Sequence, residues 1–166
     1  MAFAIGQPFP VINVGGFKSK SDFADLGFDV AIGKSYDSGL ILIGGIQGTL
    51  PIGADGLTGD QYRFGPEFIV ANINASRILA AFPAHQWDVS GDGPSYSTST
   101  LELFAMKFLP GAWTVGTQPK MSYDWKTNQA TIPLNLTVRK VVNIGNTPMQ
   151  LAVGFDYYIE KNDDFG

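Results

Sequence analysis

The sequence predicts an all-β chain, an antiparallel up-and-down meander β-barrel of about nine to ten strands, and three observations carry that expectation. The 166 residues include twenty glycines, ten prolines and 13% aromatics, which suits many short strands and tight turns rather than helices. Charged residues make up only 16%, against roughly 25% in a typical soluble domain, so Ser, Thr, Asn, Gln and Gly carry the polar half. Third, residues 113 to 125, WTVGTQPKMSYDW, divide by twos into two unlike sets. Trp113, Val115, Thr117, Pro119, Met121, Tyr123 and Trp125 are apolar with one threonine; the residues between them are small or polar. That is a strand with two different faces.

Taken in order, apolar or alternating segments fall at about 3 to 14, 25 to 34, 39 to 50, 62 to 74, 77 to 89, 97 to 109, 112 to 125, 130 to 142 and 148 to 160. The second sets Leu26, Phe28, Val30 and Ile32 against Asp25, Gly27, Asp29, Ala31 and Gly33. The eighth sets Ile132, Leu134, Leu136 and Val138 against Thr131, Pro133, Asn135, Thr137 and Arg139. The ninth sets Leu151, Val153, Phe155, Tyr157 and Ile159 against Gln150, Ala152, Gly154, Asp156, Tyr158 and Glu160. Segments 39 to 50, 77 to 89 and 97 to 109 are mixed: Ile41, Ile43, Phe104 and Met106 fall where polar residues are expected, and the phase there is open. The connectors SYDSG, NAS, PGA and NIGN are short, whereas GGFKSKSDFAD, PIGADGLTGD, SGDGPSYS and WKTNQA are longer and more polar. Short turns on one side and long loops on the other are what an outer-membrane barrel has.

Length decides which solvent the apolar set expects. Ten steps from Trp113 to Tyr123 span about 33 Å, which a tilt of about 40° projects to about 25 Å, the height of a membrane barrel's apolar band. Val115, Met121, Leu134, Leu136, Val153 and Phe155 are then the lipid-facing candidates, and Trp87, Trp113, Tyr123, Trp125 and Tyr157 the interfacial aromatics. The polar set supplies lumen or solute-facing candidates: Arg63, Glu67, Gln86, Glu102, Lys120, Asp124, Asn135, Arg139 and Asp156, with Asp29 and Asp88 in similar places. Such groups in mid-strand must be solvated or paired. A soluble β-sandwich used for binding or self-assembly has solvated outer faces too and is the competing class.

Several chemistries have little to stand on. The net charge of −4 with thinly spread Lys and Arg leaves no basic footprint for nucleic acid. The absence of cysteine removes disulfides, thiolate metal sites and cysteine nucleophiles. Apolar runs such as LILI at 40 to 43 fall far short of the roughly 20 residues of a spanning helix. The N-terminus MAFAIGQPFP has neither the basic nor the apolar region of a secretory signal. His85 is the single histidine, so a Ser/His/Asp triad could use nothing else, and no GxSxG elbow accompanies it. Acidic turns (Asp55 with Asp60, Asp88 with Asp92, Asp163 with Asp164) do not follow the spacing of an EF-hand loop. Glu67 and Glu102 could be a glycosidase pair on spacing alone, and GGIQG lacks the helix a phosphate loop needs. The expectation is therefore no enzyme, no cofactor and no metal.

From about residue 40 onward the chain resembles a bacterial outer-membrane family, the phenol-degradation MetA-pathway or transporter-like proteins. The stretches that carry it are GGIQGTLPIG, FGPEFIV, HQWDVSGD, FLPGAWTVGTQPKMSYDW, TIPLNLTVRKVVNIGNTPMQL and YYIEKNDDFG. The resemblance implies a bacterial outer-membrane β-barrel, its partners the lipid bilayer and small apolar or aromatic molecules, for passive passage or binding; a structural barrel without transport is the alternative. It also implies one more strand after the acidic turn. Single-chain bacterial barrels have even strand numbers, so nine segments leave three accounts. Either a closing strand lies beyond residue 166 and the single domain 1–166 is incomplete, or residues 1 to 14 hold no true strand, or a homo-oligomer or partner chain covers the open edge.

Overall fold

An alternating chain wound as a helix would spread its apolar residues around the whole circumference; extended, it collects them on one side. The computed structural model describes residues 2–10, 23–54 and 58–161, with side chains from residue 24 onward. Every regular element is a strand: β1 (Ala2–Pro10), β2 (Phe23–Ser35), β3 (Leu40–Leu50), β4 (Gln61–Asn74), β5 (Arg77–Gly91), β6 (Ser97–Leu109), β7 (Trp113–Thr117), β8 (Lys120–Asp124), β9 (Gln129–Ile144) and β10 (Thr147–Glu160). They form one antiparallel sheet in the order β1-β2-β3-β4-β5-β6-β7-β9-β10. β8 pairs with β6 and β9, as β7 does, so these two are halves of one strand broken at Gln118 and Pro119. The nine segments expected from alternation are the nine strands of an up-and-down meander.

The N-terminal segment does hold a strand, since β1 pairs with β2 from Ala2↔Ile32 to Pro10↔Phe23; residues 11–14 of that segment lie outside the described residues. Turns alternate in length. The chain reverses within 36–39, 75–76, 110–112 and 145–146 on one side, and within 51–60, 92–96 and 125–128 on the other. Gly39 and Gly145 close two of the tight turns at φ 81° and 63°, where a side chain would be strained.

Two irregularities cross the sheet. Between Phe64↔Trp87, Glu67↔Ala84 and Val70↔Ala81 the β4·β5 ladder skips positions, because Pro66 and Pro83 have no N–H to give. The strands crowd there: a Cβ on Gly65 would run into the His85 carbonyl oxygen, so this approach requires glycine. At the β7/β8 break the Asn135 side chain replaces the missing rung. Its Oδ1 accepts the Gln118 amide at 2.5 Å and the Thr117 hydroxyl at 3.0 Å, and its Nδ2 donates to the Gln118 carbonyl at 2.8 Å.

Residues opposite one another in an antiparallel ladder share a face, so the register sorts the sheet. Phe28 to Gly48 to Phe64 to Trp87 to Ser97 is one such line, Met121 to Leu101 to Pro83 another, and Val115 to Val138 to Val153 a third. This apolar face is the exposed one: Val153 is 78% exposed, Phe155 69% and Leu136 56%. The opposite face holds the buried apolar side chains, Ala71 at 5% and Met106 at 6%. Among the described residues no second sheet or helix covers the apolar face. β1 and β10 end the pairing path. In a nine-strand meander these two run in the same direction, so a ladder joining them directly would be parallel.

Candidate functional site

All nine polar candidates stand on the less exposed face. Glu102 is opposite Lys120, Gln86 follows Thr98 and Asp124 on one line, and Asp156 is opposite Asn135. Arg139 is opposite Thr114 and Ala152, while Arg63 and Glu67 alternate with Gly65 along β4. Antiparallel pairing in this register is what brings them together, because a slip of one residue would send each to the other face.

The face is divided along its length. Toward the short turns it is apolar: Ile41, Ile43, Ile69, Phe82, Phe104 and Met106 share it, with Phe82 and Phe104 rings edge to face at 5.3 Å. The four residues that left the phase open, Ile41, Ile43, Phe104 and Met106, thus sit on the same face as the polar candidates and form the buried half of it. Toward the long loops the face is polar. A cavity of ≈ 230 Å³ is bordered by Asp29, Gln47, Thr49 and Gln86. Farther along the same face Gln118 donates to the Glu102 carboxylate at 3.0 Å.

The loop-side rim is tied down by hydrogen bonds. The Asp25 carboxylate accepts the Gly53 and Gly59 amides at 3.2 and 2.8 Å, binding the 51–60 connection to β2. Arg63 stacks on the Tyr96 ring at 4.2 Å. Asp88, one of the acidic turn residues, accepts the Tyr96 amide at 2.8 Å. Asp124 accepts the Lys126 amide at 2.7 Å and the Thr127 amide at 3.3 Å; it lies beyond Tyr123 on the loop side, and these bonds, Lys126 first, hold its carboxyl below the ordinary value. Asp55, Asp163 and Asp164 lie outside the described residues.

The aromatic and apolar candidates occupy the other face. Trp87, Trp125 and Tyr123 cluster near its loop end, Tyr123 and Trp125 at 4.8 Å, and Trp113 lies toward the short turns with the Lys140 ammonium over its ring at 4.7 Å. Leu134, Leu136, Val153 and Phe155 are exposed, while Val115 and Met121 are half-buried. Tyr157 shares the face but is opposite Leu134, midway along β9.

His85 is on the apolar face. Its Nδ1 and the Ser99 Oγ are 2.8 Å apart, Ser97 Oγ is 3.4 Å from Nε2, and the Trp125 indole donates to Ser99 at 2.9 Å. A hydroxyl therefore stands where a triad would need a carboxylate to orient the ring. Three roles escaped the sequence reading: Gln61, 2% exposed and donating to the Gly93 carbonyl at 2.7 Å; Asp25; and Gln118. Asp25 and Gln118 answer loop amides or a broken rung far off in sequence, and no local pattern marks them.

What these residues can do together is bind. The acceptor-rich rim would hold donors, and the apolar half would hold a hydrocarbon or ring. Compared with protein-family models, with curated proteins and with solved structures, the chain matches none.

Proposed function

We propose that this chain is a β-barrel of the bacterial outer membrane that binds or slowly passes small apolar or aromatic molecules. One observation carries the reading: in a single sheet, the apolar face is the exposed one and the polar face the less exposed one. In water that arrangement is inverted. An apolar surface spread over the eight strands whose side chains are described exceeds the few hundred Å² that soluble monomers expose, and lipid is the solvent that makes it favourable. A soluble sandwich would have Leu134, Leu136, Val153 and Phe155 packed against a second sheet. The motif order resembling the phenol-degradation MetA-pathway proteins supports the same location and suggests the aromatic class of solute.

The divided inner face favours binding over free conduction, because Ile43, Ile69, Phe82 and Phe104 would narrow a small barrel's interior with side chains. The same observation favours a structural barrel as the second reading. The test has two stages. The protein should need detergent or bilayers to fold and migrate faster on a gel before boiling than after; solubility as a monomer in buffer would reject the barrel. In a planar bilayer it should give no steady ionic current, and an apolar aromatic solute should still bind or cross liposomes carrying it. A scaffold would do neither.

A further inference from the structure

A second cavity lies away from the polar face. It is an open groove of ≈ 500 Å³ on the apolar face, where Pro66 and Pro83 interrupt the β4·β5 ladder. It runs across the strands, from Phe68 on β4 over Pro83, Leu101 and Met121 to Ile132 on β9. Four strand spacings make this about 19 Å. Along its loop side it meets one polar cluster: His85, with Ser97 and Ser99 hydrogen-bonded to its two nitrogens and Trp125 donating to Ser99. The rest of the lining is apolar apart from Thr100, Ser122 and Tyr123, and none of the lining residues is Lys or Arg.

We propose that this groove binds a long-chain carboxylic amphiphile, the alkyl chain lying across the strands and the carboxyl group at His85. Shape and polarity single out that occupant. A compact ring would leave most of the trough empty, whereas a flexible chain fills it. An imidazole and two hydroxyls give one small polar set matched to a two-oxygen head, whereas a phosphate dianion calls for Arg or Lys. The site is separate from the polar face, so it goes beyond the proposed passage or binding of small solutes.

The test uses 2-bromododecanoate, whose bromine sits beside the carboxyl group and quenches tryptophan at short range, with the full chain in micelles. One variant keeps only Trp125 (W87F, W113F) and one keeps only Trp113 (W87F, W125F). Quenching of Trp125 should saturate at a concentration at least tenfold lower than quenching of Trp113, which lies toward the short turns. His85→Ala should weaken that binding about tenfold, as the loss of a charge-assisted hydrogen bond does, yet leave 2-bromododecanol unaffected. Ala130→Phe, which fills the trough, should abolish saturation for both probes. Equal, unsaturable quenching of the two tryptophans, or indifference to His85→Ala and Ala130→Phe together, would overturn the proposal. Should either variant fail to fold, the comparison of the two tryptophans still decides. If the chain proves soluble without detergent, the membrane reading falls, and the same titration in buffer judges the groove alone.

Discussion

Leu136→Arg separates lipid from water as the solvent of the apolar face. Leu136 is 56% exposed and opposite Phe155. It lies between the Tyr123↔Ala130 and Trp113↔Lys140 rungs, about 20 Å from the first and about 13 Å from the second at about 3.3 Å per residue. An arginine near the middle of a barrel's lipid band costs about 2–4 kcal/mol, and near its edge about 0–1 kcal/mol. The first is a factor of about 30 to 900 in the folding equilibrium. In water, an arginine at an exposed site changes stability by no more than about 0.5 kcal/mol. Ala130→Arg, on the same strand and face but beside Tyr123, is the internal control. Urea titration in lipid vesicles, followed by tryptophan fluorescence, should show Leu136→Arg destabilised by about 2–4 kcal/mol and Ala130→Arg by less than about 1 kcal/mol. Two variants that both stay within about 0.5 kcal/mol of the parent would refute a hydrocarbon environment.

Asn135→Ala should cost about 2–3 kcal/mol in the same titration, because it strands the Gln118 amide and carbonyl, whose unsatisfied burial costs about 1–3 kcal/mol each; Asn135→Asp, which keeps the acceptor, should recover part of the loss. A variant as stable as the parent would mean that another group bridges the β7/β8 break. The Asp124 carboxyl should titrate below its ordinary 3.8 in a carboxyl-carbon NMR experiment. A depressed folded value contributes stability that is fully present above the unfolded value and lost as pH falls through the folded one. The Trp125 turn should therefore loosen only as pH falls below 3.8, and a midpoint at or above 3.8 would show that the Lys126 and Thr127 amides do not hold the carboxylate.

The strands were legible because period-two alternation is local. Leu26 to Ile32 and Leu151 to Ile159 each declare a face without reference to any partner, and hairpin connectivity then orders them. The mixed strands were not legible alone. Ile43 and Phe104 read as phase errors until the register places them beside Ile69 and Phe82, as the buried half of a face whose other half is polar. The break at Pro119 was hidden in a stretch whose alternation continues through it, since side-chain period does not register a missing backbone rung. Gln61 depends on a carbonyl 32 residues away and Asp25 on an amide 28 residues away, distances at which single-sequence patterns carry no signal. His85 looked isolated for the same reason: Ser97 and Ser99 reach it only through the β5·β6 ladder.

The edges of the sheet provide an independent test of lipid. β10 is a fourteen-residue strand that, among the described residues, is paired on one side only, with β9. In an antiparallel pair the backbone N–H groups alternate, half turned to the partner and half away. In water the outward half would be hydrated and exchange freely. In hydrocarbon each unsatisfied group costs several kcal/mol, so an open fourteen-residue edge cannot persist there. Because β1 and β10 run the same way, direct closure would need a parallel ladder, and antiparallel closure would need one strand between them. Either arrangement engages the outward amides. Hydrogen exchange of the protein in lipid vesicles should consequently find protection at consecutive residues of β10. Protection at every second residue only, with the others exchanging as in buffer, would leave an edge that no bilayer could tolerate, and the apolar face would then require a protein partner instead.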